Sequence, residues 1–165
     1  MDLVDLKIII SRLDGYIDAL SSIYKDAHSD RACAFSTDLD IENIDASINQ
    51  LFYDNGKIFK ENFPDFDVPV CFLERSEIIT DWVRVLHHEL EIFLFPKLFQ
   101  ELIIEIDLIR EIKHNLAWQV MEMVRLITDD FGSEKIYKAN YHNSESRNGV
   151  LFVIPLKKTC LVLRF

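Results

Sequence analysis

Residues 98–127, LFQELIIEIDLIREIKHNLAWQVMEMVRLI, carry the longest helical pattern of apolar residues in the chain. Apolar residues recur there at intervals of three or four, which places them on one face of a helix. This face consists of Leu98, Leu102, Ile106, Ile109, Ile112, Leu116, Val120, Met123 and Ile127. A second apolar set widens it, namely Phe99, Ile103, Leu108, Ala117 and Met121. The pattern therefore predicts a long central helix that is packed on more than one side.

The same reasoning predicts three further helices. Pro96 interrupts the apolar region, because proline lacks an amide hydrogen and clashes with the preceding turn, so a separate helix opening at Ser76 should end near it. Asp54-Asn55-Gly56 is typical of a helix end and should terminate an earlier helix. The predicted helices are 2–24, 41–53, 76–95 and 97–131.

The end of the chain has a different composition. Three segments rich in Val, Ile, Tyr and Phe (EKIYKANYH, GVLFVIPL and TCLVLRF) predict an antiparallel meander, and shorter strands are predicted at 31–36 and 68–74. The expected fold class is α+β and mostly helical, with amphipathic helices packed around the long central helix and a small C-terminal antiparallel sheet. A length of 165 residues suits a single domain, with a helical body at 1–133 and a β-rich tail at 134–165.

Charge and hydropathy limit the classes of function. The net charge is −10, and an acidic body repels phosphate backbones, so we expect no nucleic-acid partner and instead a basic protein partner. No apolar run approaches the ~20 residues of a membrane span, and acids precede the apolar residues of the N-terminus, so we expect a cytoplasmic protein without a membrane partner. Three widely separated cysteines in apolar contexts predict reduced core residues.

The segment 38–67 is the most acidic part of the chain, with eight acids against two lysines and with aromatic residues interleaved. Charge combined with exposed aromatics is typical of partner-binding faces. The residues predicted to bind a partner are Asp38, Asp40, Glu42, Asp45, Tyr53, Phe63, Asp65 and Phe66. The alternative is a solvated loop whose aromatic side chains fill the core.

Two groups of residues suggest histidine chemistry. His88-Glu89-Leu90 on a predicted helix resembles the phospho-accepting box of two-component histidine kinases, and the strand that follows Gly149 and ends in Ile-Pro-Leu resembles the end of their ATP-binding domain. This resemblance implies phosphotransfer at His88, although the nucleotide-binding glycine and asparagine motifs of that family are absent. His142 is a candidate base of a nuclease or phosphodiesterase, with Tyr141, Ser144, Glu145 and Arg147 around it in the sequence.

Glu111 and His114 have the i,i+3 spacing that di-iron helix bundles use twice. The chain has no second copy of this motif, so we interpret the two residues as a surface pair. The sequence predicts no catalytic residue, no metal ligand and no cofactor.

These observations favour a small acidic protein that binds and neutralises another protein, such as an immunity protein or an antitoxin-like inhibitor of a basic toxin or nuclease. Two alternatives stay open. One is an enzyme or phosphotransfer protein that uses His88 or His142, and the other is a structural subunit of a homo-oligomer.

Overall fold

The protein is described by a computed structural model for residues 3–24, 32–65, 70–94, 106–131, 135–144 and 148–165. Its helices are α1 (Leu3–Tyr24), α2 (Ile44–Asn62), α3 (Trp82–Leu94) and α4 (Ile106–Phe131). Its strands are β1 (Cys33–Thr37), β2 (Cys71–Ile79), β3 (Ile136–Asn143), β4 (Asn148–Pro155) and β5 (Cys160–Arg164). The described part of the chain therefore has an α+β fold, as predicted.

The strands form one sheet in the order β1-β5-β4-β3-β2, and every neighbouring pair is antiparallel. The predicted C-terminal meander is confirmed as β3, β4 and β5. The sheet is larger than the predicted one, because β1 and β2 from the N-terminal part of the chain add one strand at each edge. Helical body and β-rich tail thus contribute to a single sheet.

Three helices cover one face of this sheet. Alternate residues of the central strand β4, such as Phe152, point to this face and pack with Leu13 of α1, Leu90 of α3 and Ile127 of α4. The predicted apolar face of the long helix is confirmed at Ala117, Val120, Met121 and Ile127, which are all buried. Helix α4 contacts both α1 and α3, and α1 and α3 also contact each other, so the three helices form one packed layer.

Helix α2 covers the opposite face. Ile48 and Phe52 of α2 pack with Tyr141, Val153 and Val162, whose side chains point away from the other three helices. The prediction that all helices pack around the central helix is therefore wrong for α2. The reason is that the sheet is apolar on both faces, and each face has to be covered.

Two predicted boundaries are also wrong. Helix α2 continues through Asp54-Asn55-Gly56 to Asn62, because a glycine costs only about 1 kcal/mol inside a helix and does not break it unless a turn follows. Ser76 does not open a helix but lies in β2, where it pairs with Ala139 of β3. The helix begins at Trp82.

Residues 95–105, which include the beginning of the predicted long helix, lie outside the described residues, as does Phe66. Among the described helices, none has the length and apolar character needed to cross a membrane. The three cysteines form no disulfide with one another in the described part of the chain; Cys160 is buried and the other two are half-buried.

Candidate functional sites

The turn before α2 is organised by Asp40. Its carboxylate accepts hydrogen bonds from the amide side chain of Asn43 at 2.7 Å and from the backbone N–H of Glu42 at 3.0 Å. Both bonds stabilise the charged carboxylate and therefore hold the pKa of Asp40 below its ordinary value, and the bond from Asn43 has the larger effect. The backbone N–H of Asp40 donates to the hydroxyl of Ser47 at 3.1 Å, which fixes the turn to the first residues of the helix.

Asp45 also has a structural role, since the hydroxyl of Ser76 donates a hydrogen bond to its carboxylate and joins α2 to β2. Asp38 and Glu42 are exposed, and no side-chain hydrogen bond of theirs is found within the described ranges. All four predicted acids at this end of α2 are exposed, and two of them, Asp40 and Asp45, also stabilise the local fold.

The other end of α2 carries an exposed pair of aromatic rings. Helical spacing places Ile48, Phe52, Phe59 and Phe63 on one face. The first two are buried against the sheet, whereas Phe59 is 42% and Phe63 50% exposed. The rings of Phe59 and Phe63 lie 4.9 Å apart and contact each other. The apolar face of α2 therefore extends past the sheet that covers its first half.

The predicted partner-binding residues are thus spread along α2. Asp45 and Phe63 are 18 residues apart, which is about 27 Å at 1.5 Å per residue, so the acids and the aromatic pair lie at opposite ends of the helix. Tyr53 is exposed on a different side of α2, and Asp65 follows the helix and is exposed. Phe59 was not predicted as a site residue. The predicted helix ended at residue 53, so the four-residue spacing of Phe59 and Phe63 was not recognised as helical.

A second group of polar residues lies between α3 and α4. His87 and Glu91 of α3 and His114 of α4 each offer one ligand atom, and the three atoms lie within 4.8 Å of one another. The His87 and His114 ring centroids are 4.9 Å apart, and the Trp118 ring stacks on His114 at 6.2 Å with an angle of 15° between the planes. We call these four residues the histidine cluster.

Sequence reasoning did not find this cluster. It paired His114 with Glu111 on the same helix, whereas the fold places His114 next to two residues of α3. The i,i+4 spacing of His87 and Glu91 was visible, but only the packing of two helices brings His114 to them.

The two histidines considered for enzymatic roles lie on separate elements. His88 is exposed on α3. His142 lies in β3, where its Nδ1 is 3.2 Å from a carboxylate oxygen of Glu74 and its ring stacks on Phe72 at 5.5 Å.

Tyr141 does not share a site with its neighbour His142. Successive side chains of a strand point to opposite faces, and Tyr141 points toward α2, where its ring lies 5.1 Å from that of Phe52. The Tyr141 hydroxyl accepts a hydrogen bond from Nε of Arg164 at 2.9 Å and donates one to the carbonyl of Phe165 at 3.2 Å. Ser144 is exposed directly after β3, and its backbone N–H donates a hydrogen bond to the carbonyl of Val70 at 2.9 Å. Glu145 and Arg147, the remaining proposed partners of His142, lie outside the described residues.

Comparisons with protein-family models, with curated proteins and with solved structures find no match to this chain. Function is therefore inferred from the chain's own residues, and two groups are candidates. These are the exposed residues of the α2 region and the histidine cluster.

Proposed function

We propose that the protein binds a basic protein partner and blocks its activity, in the manner of an immunity protein or an antitoxin-like inhibitor. The binding surface is the α2 surface, which consists of Asp38, Glu42, Phe59 and Phe63. The observation that carries the proposal is the exposed Phe59–Phe63 pair, which continues the buried face of α2 beyond the sheet.

Exposed aromatic pairs are effective anchors for a partner. A phenylalanine buries a large apolar area on binding and loses little rotamer entropy, so truncating such an anchor at the centre of an interface costs about 2 kcal/mol or more. The two rings already contact each other, which reduces the ordering that binding requires.

Charge favours a basic protein over a second copy of this chain. Two copies carry −10 each and repel, whereas a cationic partner is attracted by the same field and encounters the protein faster. Asp38 and Glu42 are exposed and contribute to this field at one end of the surface.

The distance between the acids and the aromatic pair fits one interface. A standard interface covers about 800 Å² on each partner, which corresponds to a patch roughly 30 Å across. The two ends of α2 are about 27 Å apart, so a single partner of ordinary size can contact both.

The test is affinity capture from the source cell with the tagged chain, followed by binding kinetics with the purified captured protein. Asp38→Lys with Glu42→Lys reverses charge on the α2 surface without touching Asp40 or Asp45, which have structural roles. The matched control, Asp81→Lys with Asp129→Lys, makes the same change of charge at two exposed residues, one directly before α3 and one on α4. We expect the first double variant to slow association strongly at low salt and the control to have little effect.

Phe63→Ala should mainly raise the dissociation rate, and the captured protein should lose its activity when wild-type chain is added in equimolar amount. Capture of a protein whose affinity ignores both Phe63→Ala and the charge reversal would overturn the proposal. Self-association of the purified chain through Phe63, seen by size-exclusion chromatography, would instead support the homo-oligomer.

A further inference from the structure

The histidine cluster lies at the edge of the packed layer formed by α3 and α4. Leu86 and Leu90 of α3 and Ala117 of α4 are fully or almost fully buried. His87 and Trp118 follow Leu86 and Ala117 directly in sequence, so their side chains emerge where the two helices meet solvent. This position holds the cluster on two rigid elements and leaves one side open.

Burial within the cluster is graded. The side chain of His87 is 18% and that of Glu91 is 31% exposed, whereas His114 is exposed. Nδ1 of His87 lies 3.9 Å from a carboxylate oxygen of Glu91, which is beyond hydrogen-bond distance. Nε2 of His87 is buried and has no hydrogen-bond partner among the described residues. Such polar atoms are uncommon in folded proteins and often mark a site for a ligand or an ion.

We propose that His87, Glu91 and His114 bind a divalent transition-metal ion, with Zn²⁺ as the occupant. Two imidazoles and one carboxylate are a ligand set of open zinc sites, in which water takes the fourth position. Harder cations such as Mg²⁺ and Ca²⁺ prefer oxygen ligands and do not fit a site with two nitrogens.

The spacing of the ligand atoms is close to what the ion needs. Ligands of a tetrahedral Zn²⁺ at 2.0–2.2 Å are about 3.4 Å apart, and the three atoms already lie within 4.8 Å of one another. To reach that spacing, no pair of these atoms has to approach by more than about 1.4 Å (4.8 Å less 3.4 Å). The ring of Trp118 stacks on that of His114 and so lies beside the site.

This site is independent of the α2 surface. The histidine cluster belongs to the helices on one face of the sheet, and α2 covers the other face. Failure of one proposal therefore leaves the other unaffected.

The experiment is a titration of the purified chain with Zn²⁺, with Mg²⁺ as the control ion. Calorimetry measures binding, and the thermal unfolding temperature measures its effect on stability. We expect one equivalent of Zn²⁺ to bind and to raise the unfolding temperature, reversibly on chelation, and Mg²⁺ to do neither. His87→Gln and His114→Gln should each weaken Zn²⁺ binding tenfold or more. His88→Gln, which changes the exposed neighbouring histidine of the same helix, should leave the affinity unchanged.

A second measurement locates the ion without altering a ligand. Co²⁺ bound at the cluster should quench the emission of Trp118, and Trp118→Phe, measured at saturating Co²⁺, should remove the larger part of the quenching. The proposal is overturned if wild-type chain binds no Zn²⁺, if His88→Gln and His114→Gln weaken binding equally, or if quenching persists unchanged in Trp118→Phe.

Discussion

Gly149 and Tyr141 are cross-strand partners in β4 and β3, and the phenol ring of Tyr141 lies where a β carbon at position 149 would be. The ring cannot move aside easily. Its hydroxyl is hydrogen-bonded to Arg164 and to the carbonyl of Phe165, and its face contacts Phe52. Glycine at position 149 thus provides the space in which Tyr141 joins α2, β3 and β5.

Gly149→Ala should lower the free energy of unfolding by about 1–3 kcal/mol, the usual cost of overpacking. Urea denaturation of both proteins measures the difference. Gly15→Ala is the matched control, because a β carbon there meets no atom within 4 Å and the residue lies in α1. The control should raise stability by about 0.5–1 kcal/mol, and equal effects at the two glycines would contradict the role of Tyr141.

The ion pair between Glu89 of α3 and Lys138 of β3 should be costly to break on one side only. The charged atoms are 2.5 Å apart, and the side chains are 12% and 14% exposed. Glu89→Ala or Lys138→Ala should each lower the free energy of unfolding by about 3–5 kcal/mol, because the other charge stays buried without its partner. The double variant should lose clearly less than the sum of the two.

The control for this pair is Glu61→Ala on α2. Lys57 and Glu61 are 3.9 Å apart with both side chains about two thirds exposed, and such pairs contribute at most about 1 kcal/mol. If Glu89→Ala costs no more than Glu61→Ala in the same denaturant titration, the Glu89–Lys138 pair does not hold α3 on the sheet.

Neighbouring apolar residues of α4 should respond very differently to truncation. Ile127 is 0% exposed and packs in the core, whereas Leu126 is 57% exposed. Ile127→Ala should cost about 2–5 kcal/mol, since it leaves a cavity, and Leu126→Ala should stay within about 0.5 kcal/mol of the wild type. Chemical denaturation measures both, and similar costs would mean that the wrong face of α4 is assigned to the core.

Cys160 should be the least reactive of the three thiols. Burial raises the pKa of Cys160, because desolvation disfavours the thiolate, which is the form that reacts. In native protein at neutral pH, iodoacetamide should modify Cys33 and Cys71 before Cys160, as followed by peptide mass spectrometry. In urea the three rates should converge, and native labelling that begins at Cys160 would contradict its burial.

Most secondary structure could be predicted from local pattern. The three- and four-residue spacing of apolar residues gave α1 and the buried face of α4, and β-branched and aromatic residues gave β3, β4 and β5. The candidate site was predicted less well. The acids and Phe63 were predicted as one group. The sequence did not predict that they are separated along α2, or that Phe59 lies beside Phe63, because Asn55-Gly56 is typical of a helix end.

Other features depended on partners distant in sequence. The segment 76–79 is compatible with a helix or a strand on its own, and its pairing with β3, about sixty residues later, makes it a strand. The position of α2 also depended on distant residues. Its amphipathic pattern indicates that one side is buried, but it does not indicate which face of the sheet that side covers.

By itself, the sequence determined the type of most helices and strands and the side that each one buries, because both follow from the spacing of apolar residues within one element. The tertiary structure alone decided that β1 and β2 complete the sheet, that α2 lies opposite the other helices, and that His87 and Glu91 meet His114. The physical reason is that the spacing of residues along a helix or strand is set by backbone geometry, whereas contacts between elements depend on the free energy of burying their apolar faces together.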